Sequence, residues 1–218
     1  MTPALRVVLA DDEQMVRTAL RAILDSEPDI EVAGEAADGD EAVSVVRRLR
    51  PDVVLMDVRM PRVDGIRATE HLLAAQGEAA PRILILTTFE NDAYVYDALR
   101  AGAHGFLLKR ATADELIAGV RVVARGDSLL FPSAVRALAA RHADGRRARE
   151  LTARLTGREV AVLRLMARGL TNAEIADRCG VSTATAKTHV AAVLGKLGAR
   201  DRTQAVILAY EHGVVAPG

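Results

Sequence analysis

The stretch Val53-Val54-Leu55-Met56-Asp57 decides the fold of the first part of the chain, because it is a short run of apolar, mostly branched residues that ends in a carboxylate. Apolar runs of the same kind recur at residues 6–10, 30–33, 82–86 and 105–108, of which 30–33 is the weakest. Runs without a polar residue at every second position are typical of strands buried on both faces of a sheet. The sequence therefore predicts five such strands.

Helical patterns lie between these runs. Val16, Leu20, Ile23 and Leu24, for example, recur at the spacing of one helix face. Strands that alternate with helices through short connections form a parallel sheet covered by helices on both faces. We therefore expect the first domain, residues 1–127, to be an α/β doubly wound five-stranded parallel sheet.

The composition of the 218 residues limits the class of protein. Half of the residues are hydrophobic, only 3% are aromatic, and Cys179 is the sole cysteine. A disulfide within the chain is therefore excluded, and a nucleic-acid surface built on base stacking is not expected. The sequence has no apolar run of the ~20 residues that a membrane helix needs, and no signal-peptide pattern. We expect a soluble, cytoplasmic protein that has no membrane partner.

The zero net charge of the chain hides an uneven distribution. Residues 1–130 hold 15 Lys and Arg against 22 Asp and Glu, a formal charge of −7, whereas residues 131–218 hold 14 against 7, a formal charge of +7. A basic half suggests nucleic acid as a partner of that half alone. The simpler explanation is that surface charge varies along any chain.

The second half of the chain is helical in pattern. Residues 132–140 predict a short helix and residues 141–150, which lack apolar periodicity, an exposed charged linker, so that 128–150 connects two domains. Within 151–218 a short helix is followed by a turn at Gly180-Val181 and then by a longer helix. This order predicts a small all-α helix-turn-helix domain.

Polar residues collect where the predicted strands end. Asp11 and Asp12 follow the first strand, Asp57 ends the third, Thr87 the fourth and Lys109 the fifth. Because ligands of an open parallel sheet bind beyond the carboxyl ends of its strands, we expect these side chains to meet. Three carboxylates repel one another unless a cation lies among them, and carboxylate oxygens suit Mg²⁺. Thr87 and Lys109 supply the hydroxyl and the positive charge that phosphoryl oxygens require.

Each of these residues alone has a simpler explanation. Asp11 or Asp12 is able to cap the first helix, Thr87 to satisfy a strand end, and Lys109 to lie in solvent. Five such residues at the strand ends are harder to explain in this way. The pattern as a whole therefore favours a site for a phosphoryl group.

The same residues carry a resemblance to a known family. Over about residues 5–127 the sequence resembles a response-regulator receiver domain, which has a flavodoxin-like fold. The motifs that carry the resemblance are Asp11-Asp12, Asp57-Val58-Arg59-Met60-Pro61 with Asp64-Gly65, Thr87, and Gly102-Ala103-His104-Gly105-Phe106-Leu107-Leu108-Lys109. Many receivers have a proline after the lysine, where this chain has Arg110, and this leaves the geometry of that loop in question.

The resemblance implies a phosphoacceptor and a metal site. Asp57 would accept the phosphoryl group from a sensor histidine kinase. Asp12, Asp57 and the backbone carbonyl of Arg59 would hold Mg²⁺, with Asp11 acting through a water molecule.

The resemblance also implies a switch. Thr87 and Lys109 would bind the phosphoryl group, and Phe106 would be the aromatic residue that moves with Thr87. Apart from capturing and slowly losing this group, the protein would not be an enzyme.

A second resemblance covers the chain from residue 155 to about residue 212. It is carried by Leu155-Thr156-Gly157-Arg158-Glu159, Gly169-Leu170-Thr171-Asn172-Ala173-Glu174-Ile175-Ala176, Thr185-Ala186-Lys187-Thr188-His189-Val190 and Arg200-Asp201-Arg202-Thr203-Gln204-Ala205-Val206. These motifs are similar to a LuxR-type helix-turn-helix, whereas the layout alone would also suit a protein–protein module. With a receiver in front, the chain is identified as a member of the NarL/FixJ subfamily of response regulators.

Membership of this subfamily implies a DNA-binding transcriptional regulator that forms a homodimer on phosphorylation and binds promoters. In the subfamily the last helix pairs two DNA-binding domains. Here that helix carries Ala205, Val206 and Ala209 on one face. The alternative is that this face packs against its own domain.

The longer helix of the pair would be the recognition helix. With its apolar residues facing inward, Lys187, Thr188 and Ala191 should face the major groove, where lysine donates to guanine and methyl groups contact thymine. Ala191 stands where a longer polar residue is common in the subfamily, which suggests looser specificity. The expected phosphate contacts are Thr183, Thr185, His189 and Lys196.

Two other functions compete with this one. Phosphohydrolases also combine a flavodoxin-like fold with clustered aspartates, but they usually have a second Asp two residues after the nucleophile, where this chain has Arg59. A regulator that works without phosphate would have a degenerate site. All five residues expected at the strand ends are present, which argues against that alternative.

Arg59 and Phe89 stand two residues after Asp57 and Thr87, where they should flank the path of an attacking water. Neither is able to orient a water as a carboxylate or an amide would. We therefore expect this pair to shield an aspartyl phosphate and to make self-dephosphorylation slow. The alternative is that Phe89 packs beneath its loop while Arg59 points into solvent.

Overall fold

The computed structural model describes residues 3–76, 80–88, 92–125 and 145–215. The chain divides into two compact units, Met1–Leu129 and Leu130–Gly218. The finer boundaries expected at residues 127 and 150 stay predictions. None of the helices among the described residues is long and apolar enough to span a membrane.

The first unit alternates strands and helices. Its strands are β1 Leu5–Ala10, β2 Ile30–Ala36, β3 Val53–Asp57, β4 Arg82–Thr87 and β5 Gly105–Leu108. Its helices are α1 Gln14–Leu24, α2 Gly39–Leu49, α3 Gly65–Gln76, α4 Asp92–Ala101 and α5 Ala113–Ala124. All neighbouring strands pair in parallel, in the order β2-β1-β3-β4-β5. The prediction of a doubly wound five-stranded parallel sheet is confirmed.

The central strands form the core of this unit because successive residues of each are buried. Val7, Val8 and Leu9 have no exposed surface in β1, and every residue of β3 is buried. A strand covered on both faces needs apolar residues at consecutive positions, which is the pattern of the sequence. Burial of one such side chain contributes about 1.5–3 kcal/mol, so these strands form a stable platform for the loops at their carboxyl ends.

The loop between β3 and α3 is held close to the end of its strand. A Cβ atom on Gly65 would clash with the carbonyl oxygen of Asp57, and the Gly65 amide donates to the Val58 carbonyl at 3.0 Å. The amide of Gly39, at the start of α2, donates to the Val63 carbonyl of the same loop at 3.0 Å. Only a residue without a side chain fits at position 65, so glycine determines this close approach.

The second unit is helical in its described part. Its helices are α6 Gly145–Thr152, α7 Gly157–Ala167, α8 Asn172–Cys179, α9 Thr183–Leu197 and α10 Arg202–Glu211. The last four begin at a residue whose side chain accepts a backbone N–H three residues on, namely Thr156, Thr171, Ser182 and Asp201. Gly180 ends α8 at a φ of 65°, where glycine is favoured. The prediction of a small all-α helix-turn-helix domain is confirmed.

One part of the prediction for the connecting segment is wrong. Residues 145–150, expected as the end of an exposed linker, form the start of α6, which runs to Thr152. Arg, Ala, Glu and Leu have high helix propensity, and Leu151 buries its side chain. Apolar periodicity reports burial rather than propensity, so it misses a helix with few apolar residues. The short helix expected at 132–140 lies outside the described residues.

Candidate functional site

The carboxyl edge of the sheet gathers the acidic residues. Asp11 follows β1 and Asp57 ends β3, and these two strands are neighbours. One oxygen from each of Asp11, Asp12 and Asp57 lies within 4.8 Å of the other two. Asp11 and Asp57 are buried, whereas Asp12 is exposed. The structure therefore brings the three predicted carboxylates together and leaves one of them open to solvent.

Lys109, which follows β5, provides the positive charge of this cluster. Its Nζ lies 2.7 Å from Asp11 Oδ2 and 3.2 Å from Asp57 Oδ2. Burial opposes the charge of Lys109, but the hydrogen bond with Asp11 and the charge of Asp57 outweigh it, so the pKa of the ammonium is raised. Glu13 Oε1, 3.9 Å from the same Nζ, adds a fourth carboxylate that the sequence analysis missed.

The surroundings of Asp57 disfavour its charge. Burial raises the pKa of Asp57, Lys109 lowers it and Asp11 raises it, which brings it to about 6. Among the described residues of this cluster the carboxylates outnumber the ammonium of Lys109, so the cluster has an excess of negative charge. An all-oxygen donor set with this charge is able to hold a hard divalent cation, so the residues present fit a metal ion.

The loop after β3 forms one wall of a cleft beside this cluster. The cleft has a volume of about 470 Å³ and is lined by Asp12, Val58, Arg59, Met60, Asp64 and Ile66. Arg59 and Asp12 thus line the same cleft. Its side chain is exposed, and Phe89 lies outside the described residues, so the expected shield of Arg59 and Phe89 stays a prediction.

Thr87 and Phe106 lie on the neighbouring strands β4 and β5, and both are buried. The carbonyl of Thr87 accepts the Lys109 amide at 2.8 Å, which joins the end of β4 to the lysine. Phe106 pairs in register with Ile85, two residues before Thr87. The coupled movement of Thr87 and Phe106 stays a prediction.

Arg17 on α1 supports the acidic loop, and the sequence analysis missed it. Its Nη1 donates to the Asp11 carbonyl at 2.6 Å, and its Nε lies 3.1 Å from Glu35 Oε2 on β2. Arg21 Nε lies 2.7 Å from the other oxygen of Glu35. The sequence holds one signal for this role: Arg17 is a basic residue next to the apolar Val16, at the edge of the inward face of α1.

The helix α9 presents an outward face of small and polar side chains. Of the residues predicted on its apolar face, four are buried, namely Ala186, Val190, Val193 and Leu197, and Leu194 is half-buried. The exposed residues include Thr183, Thr185, Lys187, Thr188 and Ala191, while His189 is half-buried. Most of the predicted DNA contacts are therefore accessible from solvent.

Lys196 differs from the other predicted DNA contacts because its charge already has a partner. Its Nζ lies 2.8 Å and 2.7 Å from the two carboxylate oxygens of Glu159 on α7. A contact with a DNA phosphate would therefore have to compete with this ion pair.

The predicted apolar face of α10 is covered. Ala205, Val206 and Ala209 have no exposed surface, and the Tyr210 hydroxyl donates to the Ala167 carbonyl of α7 at 2.9 Å. These contacts favour the alternative that this face packs against its own domain.

These features define the class of protein. A parallel five-stranded sheet with a buried aspartate, acidic neighbours and a lysine at its carboxyl edge, followed by a helix-turn-helix unit, is the architecture of a response regulator with a DNA-binding domain. Residues 7–121 match the response regulator receiver domain, and residues 153–209 match the luxR family of bacterial regulatory proteins. The chain belongs to the two-component response regulators with a LuxR-type DNA-binding domain, and it is a regulator rather than a catalytic enzyme.

Similar proteins cover almost the whole chain. It is 41% identical to the uncharacterized transcriptional regulatory protein YxjL of Bacillus subtilis over 97% of each chain. It is 39% identical to the response regulator protein VraR of Staphylococcus aureus over 97% of this chain and 99% of that one. The crystal structure of the response regulator ChrA of a heme-sensing two-component system is 36% identical over 97% of this chain and 99% of its own, with a TM-score of 0.53. The resemblance to this class of response regulators is confirmed.

Asp57→Asn should raise the free energy of unfolding of the first unit when EDTA removes metal ions. The pKa of Asp57 is about 6 in the folded chain against 3.8 for an ordinary aspartate, so its charge lowers stability as the pH rises through this window. Loss of the charge should stabilise the unit by about 3 kcal/mol at pH 7.5 and by about 1 kcal/mol at pH 4.5, as measured by urea unfolding.

Glu70→Gln is the matched control, because it removes an exposed carboxylate in the middle of α3. It should change either value by less than about 0.5 kcal/mol. A free energy of unfolding for Asp57→Asn at or below the parental value at pH 7.5 would contradict the electrostatic account of the site.

Proposed function

We propose that Asp57 accepts a phosphoryl group from a sensor histidine kinase and that its phosphorylation controls DNA binding by α9. The observation that carries the proposal is the buried carboxylate of Asp57 at the end of β3, 3.2 Å from Lys109 and beside Asp11 and Asp12. Perturbed pKa values of clustered charged groups in an accessible cleft are typical of functional sites.

Asp57 would be the nucleophile of the transfer. One of its oxygens attacks phosphorus while the nitrogen of the donor histidine leaves. Charge spreads over the phosphoryl oxygens during this step, and the ammonium of Lys109 and the hydroxyl of Thr87 would stabilise it. Lys109 already lies against the Asp57 carboxylate, so the positive charge needs little rearrangement to act.

We place Mg²⁺ at Asp12, Asp57 and the backbone carbonyl of Arg59, with Asp11 acting through a water molecule. When bound, this ion would neutralise charge on the phosphoryl oxygens. The all-oxygen donor set and the excess of negative charge support the assignment. The exposed position of Asp12 leaves room for the waters that Mg²⁺ retains.

Acetyl phosphate with Mg²⁺ should add one phosphoryl group to the protein, as measured by intact mass. Asp57→Asn should abolish the addition because an amide oxygen is a much weaker nucleophile than a carboxylate, and EDTA should prevent it. The control is Asp52→Asn, an exposed carboxylate just before β3 that accepts the Arg6 amide at 2.8 Å, and it should be labelled normally. Labelling of Asp57→Asn at the parental rate would show that the acceptor is another residue.

The phosphoryl group would then act through the switch residues. It adds a charge of about −1.5 to −2 and three acceptor oxygens at the edge of the sheet. Thr87 and Phe106 would shift toward it and change the surface of the first unit, with homodimerisation and promoter binding as the result. The backbone bond between Thr87 and Lys109 supports this route, because it links the phosphoryl-binding lysine to β4.

The lifetime of the phosphorylated state should depend on Arg59 and Phe89. If the two side chains shield the phosphoryl group from water, Arg59→Asn with Phe89→Ala should lose the phosphate markedly faster than the parent after removal of the donor. Phosphorylated protein is measured by mass against time. Arg67→Asn is the control, because Arg67 is exposed on α3 outside the cleft. An unchanged half-life of the double variant would exclude the shield.

The outward face of α9 would enter the major groove of double-stranded DNA. Lys187 would donate to guanine, and Thr188 and Ala191 would offer methyl groups to thymine. Thr183, Thr185 and the half-buried His189 would contact phosphates, which position the helix without specifying the sequence. The exposure of these residues and the positive formal charge of residues 131–218 support this assignment.

Lys187→Ala should weaken binding to the preferred duplex by about 1–3 kcal/mol and relax base preference at one position, because one base contact is lost. Affinity and base preference are measured by binding assays with single-base variants of the duplex. Arg67→Ala removes a positive charge from the other unit and should change neither. Equal losses on preferred and random duplexes would mean that Lys187 touches only the DNA backbone.

A further inference from the structure

The first turn of α7 holds both helices of the helix-turn-helix. Arg158 donates from its guanidinium to the carbonyl of Cys179, the last residue of α8. Its neighbour Glu159 accepts from the ammonium of Lys196, near the end of α9. Two consecutive residues of α7 thus bind the ends of both helices, outside the Gly180 turn that joins them.

Glu159 is also part of the capping box that begins α7. Its Oε2 accepts the Thr156 amide at 2.7 Å, while its own amide donates to Thr156 Oγ1 at 3.3 Å. Lys196 and the Thr156 amide together lower the pKa of Glu159 to about 2. The carboxylate that receives Lys196 is therefore fixed in place by the backbone of α7.

The position of Lys196 separates it from the base-contacting face of α9. Lys187 and Lys196 are nine residues apart, which is about two and a half turns, so they project from opposite flanks of the helix. The Glu159 side chain is 8% exposed and that of Lys196 42%. Transfer of Lys196 to a phosphate would leave the nearly buried Glu159 without its cation, which is unfavourable.

We propose that the contact between Glu159 and Lys196 positions the recognition helix against α7 and that Lys196 does not bind a DNA phosphate. This inference rests on the proposed DNA binding by α9 and replaces the phosphate role expected for Lys196 from the sequence. Apart from Lys187, the outward side chains of α9 are short, so the bases that Thr188 and Ala191 reach depend on the tilt of the helix. Non-specific binding to DNA depends mainly on charge and should tolerate a small change in the tilt of α9.

The test uses the full chain, phosphorylated with acetyl phosphate and Mg²⁺. It is bound to two duplexes, one enriched from a randomised library and one scrambled, over a series of salt concentrations. Glu159→Gln and Lys196→Met should each weaken binding to the enriched duplex about tenfold and leave the scrambled duplex within about twofold. The slope of log affinity against log salt should not change, because no phosphate contact is lost. The double variant should be no weaker than either single one, because both remove the same contact.

Lys196→Arg keeps the positive charge and should retain the parental affinity within about twofold. This variant still tests the inference if Lys196→Met does not fold. Thermal unfolding identifies a temperature at which each variant used is folded. An arginine variant as weak as the methionine variant would overturn the inference.

A phosphate contact predicts the opposite result for Glu159→Gln. Loss of the carboxylate would release the ammonium and tighten binding to both duplexes, and Lys196→Met would reduce the salt slope by about 0.9. Either result would overturn the inference. A phosphorylated parental chain that binds no duplex at any salt concentration would instead refute the proposed DNA binding, so the two failures are distinguishable.

Discussion

The first unit depends on one electrostatic constraint: a single ammonium, that of Lys109, faces a group of carboxylates that it does not neutralise. Parallel strands end at the same edge of the sheet, so the chain has no means of separating Asp11 from Asp57 once β1 and β3 pair. Burial of Asp57 is the main cause of its raised pKa, and the charge of Asp11 raises it further. The arrangement lowers the stability of the unit and gives its edge a donor set that is able to hold a cation.

Such a site keeps its geometry only if the backbone of the surrounding loops is restrained. Two contacts restrain it, one at the loop after β3 and one at the loop after β1. Gly65 lets the loop after β3 fold back against Asp57, and Arg17 links the carbonyl of Asp11 to Glu35 on β2. These contacts involve backbone atoms of the acidic residues, so they restrict the loops without neutralising the carboxylates. The electrostatic excess at the edge therefore persists in a rigid frame.

In the second unit the important feature is the angle at which α9 lies against the other helices. Each of its last four helices begins with a local cap, and these caps define where the helices start but not how they cross. The crossing of α7 and α9 is defined by packing and by the pair of Glu159 and Lys196. Because the outward side chains of α9 other than Lys187 are short, they tolerate little error in this angle.

The sequence by itself determined the parts of the protein that short-range patterns encode. Consecutive apolar residues predicted the buried strands, and because parallel strands end at one edge, the same pattern predicted that Asp57 and Lys109 meet. The tertiary structure alone decided the supports: α6, the contact of Arg17 with Asp11, and the partner of Lys196, which lies 37 residues earlier in the chain. Buried faces and helix caps recur at fixed spacings along the sequence, so they are visible in it. An ion pair between two helices has no characteristic spacing, because each charge is stable in water by itself and finds its partner only when the helices pack.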